Sequence, residues 1–498
     1  MILNRDDEEI VCCWLQGTQQ MNELRQDMFQ AGVREKAPVE GNYDHNILYY
    51  VMTHWPGQAP TSWKRLMYAA LAHGTKVVDL YEMHSTFFTT ENSIGEYPQS
   101  ANGPYETVQD TLFEYGQFDD IIQGSPSQSA PAGDVALYFS TADDCWSAIA
   151  WPGDRQPGQV YKAAKRALYI ALRHRHLKVD VLNEDDVVSG GRLAQYDTLY
   201  VADPHVSSAA TKAIGMWVAE HAGTLYATAS AGLLDESNAA NTPMRTLLGL
   251  TAFATPPMMK AQFATPPVGM LKRDLPTSAA LDSVTIISAS EGHVAVATFG
   301  ALVRPGNFTP TPAFPNITAA NITVLAHFSD GSPAGISHTV GLGRAVFLGW
   351  LPSLSYFKPA LPSKPIDICP RDGPDGCFCH FVPSDFDVTA MDVLDLPPLG
   401  VAPGGARHHR VGSASAPLVE VGVVSSSAGG VVLLINWDMT AVGNDTLTVS
   451  VASAALSSKI TTAVRASDGQ KVPFKDAAGQ LTFSLPGTLV VADAIVLR

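Results

Sequence analysis

The sequence predicts a multidomain protein with α/β and all-β parts, and three observations predict it. Continuous apolar strand signals alternate with helix signals up to about residue 123 and again from residue 134, as in parallel strands covered on both faces. From residue 415 the pattern changes to short strands parted by Gly, Asp and Asn turns, as in a small antiparallel β-sandwich. Between these regions lie "GSPSQSAPAG" (124–133), a linker by composition, and a Pro-rich connecting segment (358–414). The expected units are therefore 1–123, 134–357 and 415–498.

In the first unit "EEIVCCW" reads as a strand and "TQQMNELRQDMFQAGV" as an amphipathic helix. "NILYYVMT" is the next strand. "APTSWKRLMYAALAHG" is a helix with Thr61 or Ser62 near its N-cap and Gly74 at C′. "KVVDLYE" is a strand and "YETVQDTLFEYG" a helix stopped by glycine. The second unit runs "DVALYFS" (strand), "GQVYKAAKRALYIALRHRH" (helix), "LKVDVL" and "YDTLYVAD" (strands), "SSAATKAIGMWVAEHAG" (a helix ending at Gly223) and "TLYATA" (strand). This βαβαβ order predicts a flavodoxin-like doubly wound sheet. Residues 250–330 interrupt it with Pro-rich loops and short strands, and "GISHTVGLGRAVFLGWLP" reads as a closing hairpin through Gly341 and Gly343. In the third, "PLVEVGVVSS", "GGVVLLINWD", "DTLTVSVAS", "TTAVRAS", "QLTFSLPG" and "ADAIVLR" are the sandwich strands.

Composition narrows the function. A formal net charge of −16 argues against nucleic acid or an anionic membrane as partner, because both need a basic face, and suits neutral ligands. No run approaches the ~20 apolar residues of a transmembrane helix. The opening "MILNRDDEEI" offers no apolar signal-peptide core, while sequons at Asn307, Asn316, Asn321 and Asn444 leave a secreted parent open; the compartment stays undecided. Six cysteines are too few for a disulfide scaffold. Cys369, Cys377 and Cys379 with His380 are zinc-ligand types, but their spacing fits no common zinc module. A loop disulfide or free thiols are expected there, and no metal or other cofactor.

Chemistry in parallel α/β folds gathers where strands end. Here the first-unit strands end at Trp14, at His54 and Trp55, and at Glu82 and His84, so these five residues are expected to line one rim as a ligand pocket. After "TLYATA" stands Ser230-Ala231-Gly232. A serine nucleophile there would need a base that the neighbouring sequence does not supply, so the stretch reads as a small-residue turn.

Several stretches, "HWPGQAPTSWKRLMYAALAHGTKVVDLYEMH", "AAKRALYIALRHRHLKVDVLNEDDV", "WVAEHAGTLYATASAGLLDE" and "GLGRAVFLGWLP", resemble glycoside hydrolase family 42 β-galactosidases. The resemblance implies that residues 1–123 are the C-terminal part of a (β/α)8 barrel, that 134–357 are a trimerisation domain, and that the protein is a homotrimer with a β-galactoside-like carbohydrate ligand. It implies Glu82 as a catalytic carboxylate, with Trp14, His54, Trp55 and His84 contacting substrate. That family uses two glutamates, after barrel strands four and seven. The strand-four residue has no counterpart here, and Glu40 matches the second only if the strand assignment moves by one element. The expectation is therefore a β-galactosidase-like hydrolase represented by its C-terminal half with an incomplete catalytic pair. The alternative is a non-catalytic carbohydrate-binding or assembly protein.

Overall fold

The computed structural model describes residues 20, 23–24, 26–28, 31, 48–52, 60–81, 104–125, 135–149, 159–250 apart from 190, 282–287, 293–295, 319–357, 360, 386–387, 390, and 411–498 apart from 439, 444 and 445. The expected "EEIVCCW" strand, most of the 124–133 and 358–414 connections, Cys369, Cys377, Cys379 and His380 lie outside the described residues.

In the first unit, β1 (Leu48–Met52), α1 (Pro60–Ala72) and β2 (Val77–Tyr81) form a β-α-β crossover whose strands pair in parallel from Leu48↔Val77 to Met52↔Tyr81. Helix α1 begins one or two residues before the expected cap, because Pro60 carries no N–H and has φ preset for a first helical residue. Its end is a Schellman turn. Gly74, at φ +87°, donates to the Leu71 carbonyl at 3.0 Å, and Thr75 donates to that of Ala70 at 3.0 Å. Helices α2 (Pro104–Tyr115) and α3 (Asp119–Gly124) follow, so helical structure runs into the first residue of the expected linker.

The second unit contains β3 (Val135–Tyr138), α4 (Thr141–Ile149), α5 (Gln159–His174), β4 (Val179–Leu182), α6 (Glu184–Val188), β5 (Thr198–Val201), α7 (Ser208–His221), β6 (Thr224–Thr228) and α8 (Thr242–Leu247). It continues through β7 (Ser283–Ile286), β8 (His293–Ala295), β9 (Ala319–Phe328), β10 (Pro333–Val340), β11 (Gly343–Leu348) and α9 (Pro352–Phe357). The strands make one sheet in the order β4-β3-β5-β6-β11-β10-β9-β7-β8. Its first five strands are parallel, in the flavodoxin-type order 2-1-3-4-5. The four others are antiparallel: β10 pairs with β11 as the expected hairpin, while β7, β8 and β9, from the region expected to interrupt the sheet, extend it instead, and the whole is mixed. Strand alternation explains the continuous apolar runs: Val135 and Leu137 enter one core beneath α5 and α9, while Ala136 and Tyr138 enter another beneath α7 and α8.

Helix α7 stops differently from the expectation. The left-handed residue is Ala222, at φ +57°, while Gly223 leaves room for the Trp217 ring, which a Cβ would overlap. Gly343 starts β11 against the same corner, and a Cβ there would collide with the carbonyl oxygens of Val218 and Gly223.

In the third unit, β12 (Gly412–Ala414), β13 (Val419–Ser426), β14 (Gly429–Asn436), β15 (Thr448–Ala452), β16 (Ala463–Arg465), β17 (Phe474–Ala477), β18 (Gln480–Ser484) and β19 (Ala492–Leu497) form two four-stranded sheets, β12-β15-β18-β17 and β13-β14-β19-β16. Val432, Leu434, Val449, Val451 and Phe483 fill the space between them. The second sheet is covered on its other face too. Val431, Leu433 and Ile435 share a core with Tyr68, Ala69 and Leu71 of α1 and with Ile121 and Ile122 of α3. Helix α1 approaches so closely that a Cβ on Gly422 would lie 2.5 Å from that of Ala72. The N-terminal helices and the sandwich are one packed body.

Candidate functional site

Strands β1 and β2 end in register at Met52 and Tyr81, and parallel pairing makes both ends the same edge. His54 and Trp55 follow the first end by two and three positions in sequence; Glu82 and His84 follow the second by one and three. These four residues and Trp14 lie outside the described residues, so the described structure fixes the strand ends that lead to the expected rim.

At the C-terminal edge of the central sheet, the strand order reverses between β3 and β5, and loops after both strands bring charged groups together. Lys165 of α5 donates to Asp203 Oδ1 at 2.7 Å, and the Ser140 amide donates to Asp203 Oδ2 at 2.9 Å. Burial pushes Asp203 up to about 6 against the pull of Lys165. Burial acts to lower Lys165 as well, but Asp203 with Asp144 and Asp143 outweighs it and leaves the ammonium raised. His205 donates through Nδ1 to Asp143 Oδ1 at 3.0 Å and through Nε2 to Asn238 Oδ1 at 2.9 Å, and Trp146 stacks on its ring. Those bonds overcome burial and raise its pKa. An acid–histidine pair thus stands on the edge that also carries Ser230, where sequence reading found no base. Residues 62 positions apart give no local signal of it. Ser230 itself is buried, and its hydroxyl accepts from Tyr161 at 2.8 Å.

A second polar cluster lies where the three units meet, and sequence reading missed it entirely. The Schellman turn places His73 at the end of α1, facing helical residues Glu23 and Asp27, Tyr169 and Arg173 of α5, and Glu420 of β13. His73 Nδ1 donates to Asp27 Oδ1 at 2.6 Å. Nε2 lies 2.9 Å from Glu420 Oε1 and 3.4 Å from Glu23 Oε2. Asp27 Oδ2 accepts from Tyr169 at 2.6 Å; Glu420 accepts from Arg173 and, through Oε2, from Trp437 at 2.8 Å. Burial opposes ionisation of Glu420, but Arg173 and His73 hold it well below the carboxylate range. Glu23 is the exception. Burial and the Glu420 charge raise it well above its ordinary value, and among the described residues neither of its oxygens accepts a hydrogen bond.

No family model matches the chain, and no curated protein matches its sequence. Solved structures do match its fold. Gan42B, a GH42 β-galactosidase from G. stearothermophilus, aligns at TM-score 0.54 and 14% identity over 89% of this chain and 51% of its own. The cold-adapted β-galactosidase from Rahnella sp. R3 aligns at TM-score 0.54 and 15% identity, over 100% of this chain and 59% of its own. The β-galactosidase from Bacillus circulans sp. alkalophilus gives 0.53 and 12%, over 88% and 52%. The fold is thus that of GH42-type glycoside hydrolases, a likeness of fold at low identity. The chain spans between half and three-fifths of the length of these structures.

Proposed function

We propose that this chain is part of a glycoside hydrolase acting on β-galactosides, with its sugar site at the C-terminal rim of β1 and β2. The observation that carries the reading is the parallel register of those strands, which brings the chain after Met52 and the chain after Tyr81 to one edge of a glycosidase-type fold. Glu82 is the catalytic carboxylate in this reading. The faces of Trp14 and Trp55 cover sugar C–H groups, while His54 and His84 bond hydroxyls. The segment 1–123 supplies part of a (β/α) barrel, and the central domain assembles the homotrimer. Glycoside hydrolysis needs two carboxylates, ~5–5.5 Å apart for retention or ~6.5–9.5 Å for inversion. The single rim carboxylate favours a second reading, a carbohydrate-binding or assembly protein without turnover.

Titrating the wild type and Glu82→Gln with galactose and an aryl galactoside separates the two. Galactoside binding on the order of millimolar, ~4 kcal/mol, is expected for the wild type with negligible hydrolysis. Turnover that Glu82→Gln abolishes would establish a complete catalytic pair. Absence of binding by both proteins would remove the sugar site and leave assembly, which light scattering tests directly.

A further inference from the structure

We propose that the junction of the three units is a structural site for a zinc-type divalent cation, held by Glu23, His73 Nε2 and Glu420. The three side chains are buried, come from three separate parts of the chain, and bring one donor atom each within 4.8 Å of the others. Nε2 lies 2.9 Å from one carboxylate oxygen and 3.4 Å from the other, which brackets the roughly 3.3 Å between donors around a cation bound tetrahedrally at ~2.0–2.1 Å. Asp27 takes the Nδ1 proton of His73, fixing the tautomer that turns the Nε2 lone pair toward the two glutamates, as a carboxylate behind a metal-bound histidine does. One imidazole with two carboxylates suits zinc better than calcium or magnesium, which prefer oxygen alone.

One observation points to a cation. Glu23 is 2% exposed, and among the described residues neither of its oxygens accepts a well-formed hydrogen bond; its nearest polar partner is His73 Nε2, 3.4 Å from Oε2. Charge balance admits two solutions. With one proton on His73 and one on Glu23, the cations His73 and Arg173 balance Asp27 and Glu420; a divalent ion that displaces both protons gives the same neutral cluster. Arg173 lies 3.3 Å from His73 Nε2 and bonds Glu420. In the cation-bound site it remains on Glu420 as the outer partner that ligating carboxylates keep, its guanidinium displaced from Nε2.

The test uses the full chain with all six cysteines, Cys12, Cys13, Cys145, Cys369, Cys377 and Cys379, replaced by serine, so that thiols contribute no zinc. After loading with ZnCl2 and dialysis against metal-free buffer, elemental analysis is expected to find about one zinc per chain and no retained calcium or magnesium. Glu23→Gln, which copies the protonated acid, is expected to lose the zinc and the zinc-dependent rise in melting temperature. Asp27→Asn is expected to weaken zinc about 10–100-fold. A chain that retains no zinc overturns the proposal, even if neither variant folds. So does a Glu23→Gln variant that melts at or above the wild type and keeps the same zinc content, because a proton then suffices. None of these readouts depends on sugar binding, so this proposal and the glycosidase reading fail separately.

Discussion

His174, the last residue of α5, makes the stability of this protein depend on pH in a way that one substitution removes. Its ring is buried between Gln20, Tyr356 and Phe386. The neutral tautomer satisfies both partners: Nε2–H donates to Gln20 Oε1 at 2.8 Å, and Nδ1 accepts from the Tyr356 hydroxyl at 2.7 Å. Burial, helped by the charges of His176 and Arg173 against that of Glu420, pushes His174 down to about 3 from an unfolded value of 6.5. Its contribution is therefore complete above pH 6.5 and is lost as pH falls toward 3, because only the unfolded chain takes up the proton. At ~1.4 kcal/mol per pKa unit, the loss between pH 7 and pH 5 is about 2 kcal/mol. His174→Gln keeps a polar side chain but does not titrate. It is expected to cost about 1–2 kcal/mol at pH 7 through weakened bonding, and to draw level with the wild type near pH 5. Hydrogen exchange of the β3, β4 and β5 amides at the two pH values, corrected for intrinsic rates, reads the opening free energy of this sheet without assuming two-state unfolding of the whole chain. Equal pH dependence in the two proteins would show that folded His174 titrates normally, and the burial argument would fall.

Lys165→Met is expected to destabilise the central domain by about 3–5 kcal/mol, because it leaves the buried Asp203 charge without its partner; adding Asp203→Asn should recover most of that loss. Urea titration of the single and double variants checks this, and strict additivity of the two substitutions would refute it. Gly343→Ala should cost about 1–3 kcal/mol, since its Cβ meets the backbone oxygens that close α7, whereas Leu342→Ala beside it, on an exposed side chain, should stay within about 0.5 kcal/mol in the same assay.

Much of the fold was legible because its strands announce their surroundings. Val135–Tyr138 is apolar throughout and Thr224–Thr228 is apolar between its terminal threonines, and the structure covers both faces of each. The same logic was there to be applied to Gly429–Asn436. Its unbroken apolar run is not the half-polar alternation of a strand with one solvated face, and α1 lies on the side that a free sandwich would give to water. That covering explains why the junction cluster was illegible. Glu420 alternates with Val419 and Val421, so sequence pattern assigns it to solvent, and only the docking of α1 and α5 makes it a buried partner of His73 and Arg173. His73 stands before a helix-stopping glycine, where a polar cap residue is ordinary. Of the expected rim, the parallel pairing of β1 and β2 is what the described residues show. The hairpin of β10 and β11 was legible, whereas the extension of the central sheet by β7, β8 and β9 was not, because Pro-rich surroundings read as loops whether or not distant segments supply a hydrogen-bonding edge.

The close seating of Gly422 on Ala72 has a consequence for synthesis. Tyr68, Leu71 and Ile121 find their apolar partners in strands that leave the ribosome roughly 310–430 residues later, and Arg498 bonds Asp120 across a separation of 378. At about 5–20 residues per second, a gap of that length is roughly 20–80 s during which α1 and α3 are made but uncovered. Nascent chains stalled before β13 should therefore bind hydrophobic-surface chaperones through these helices, and release should follow emergence of β19. A gene cut between the central and last units would leave the same helices bare for the life of the product.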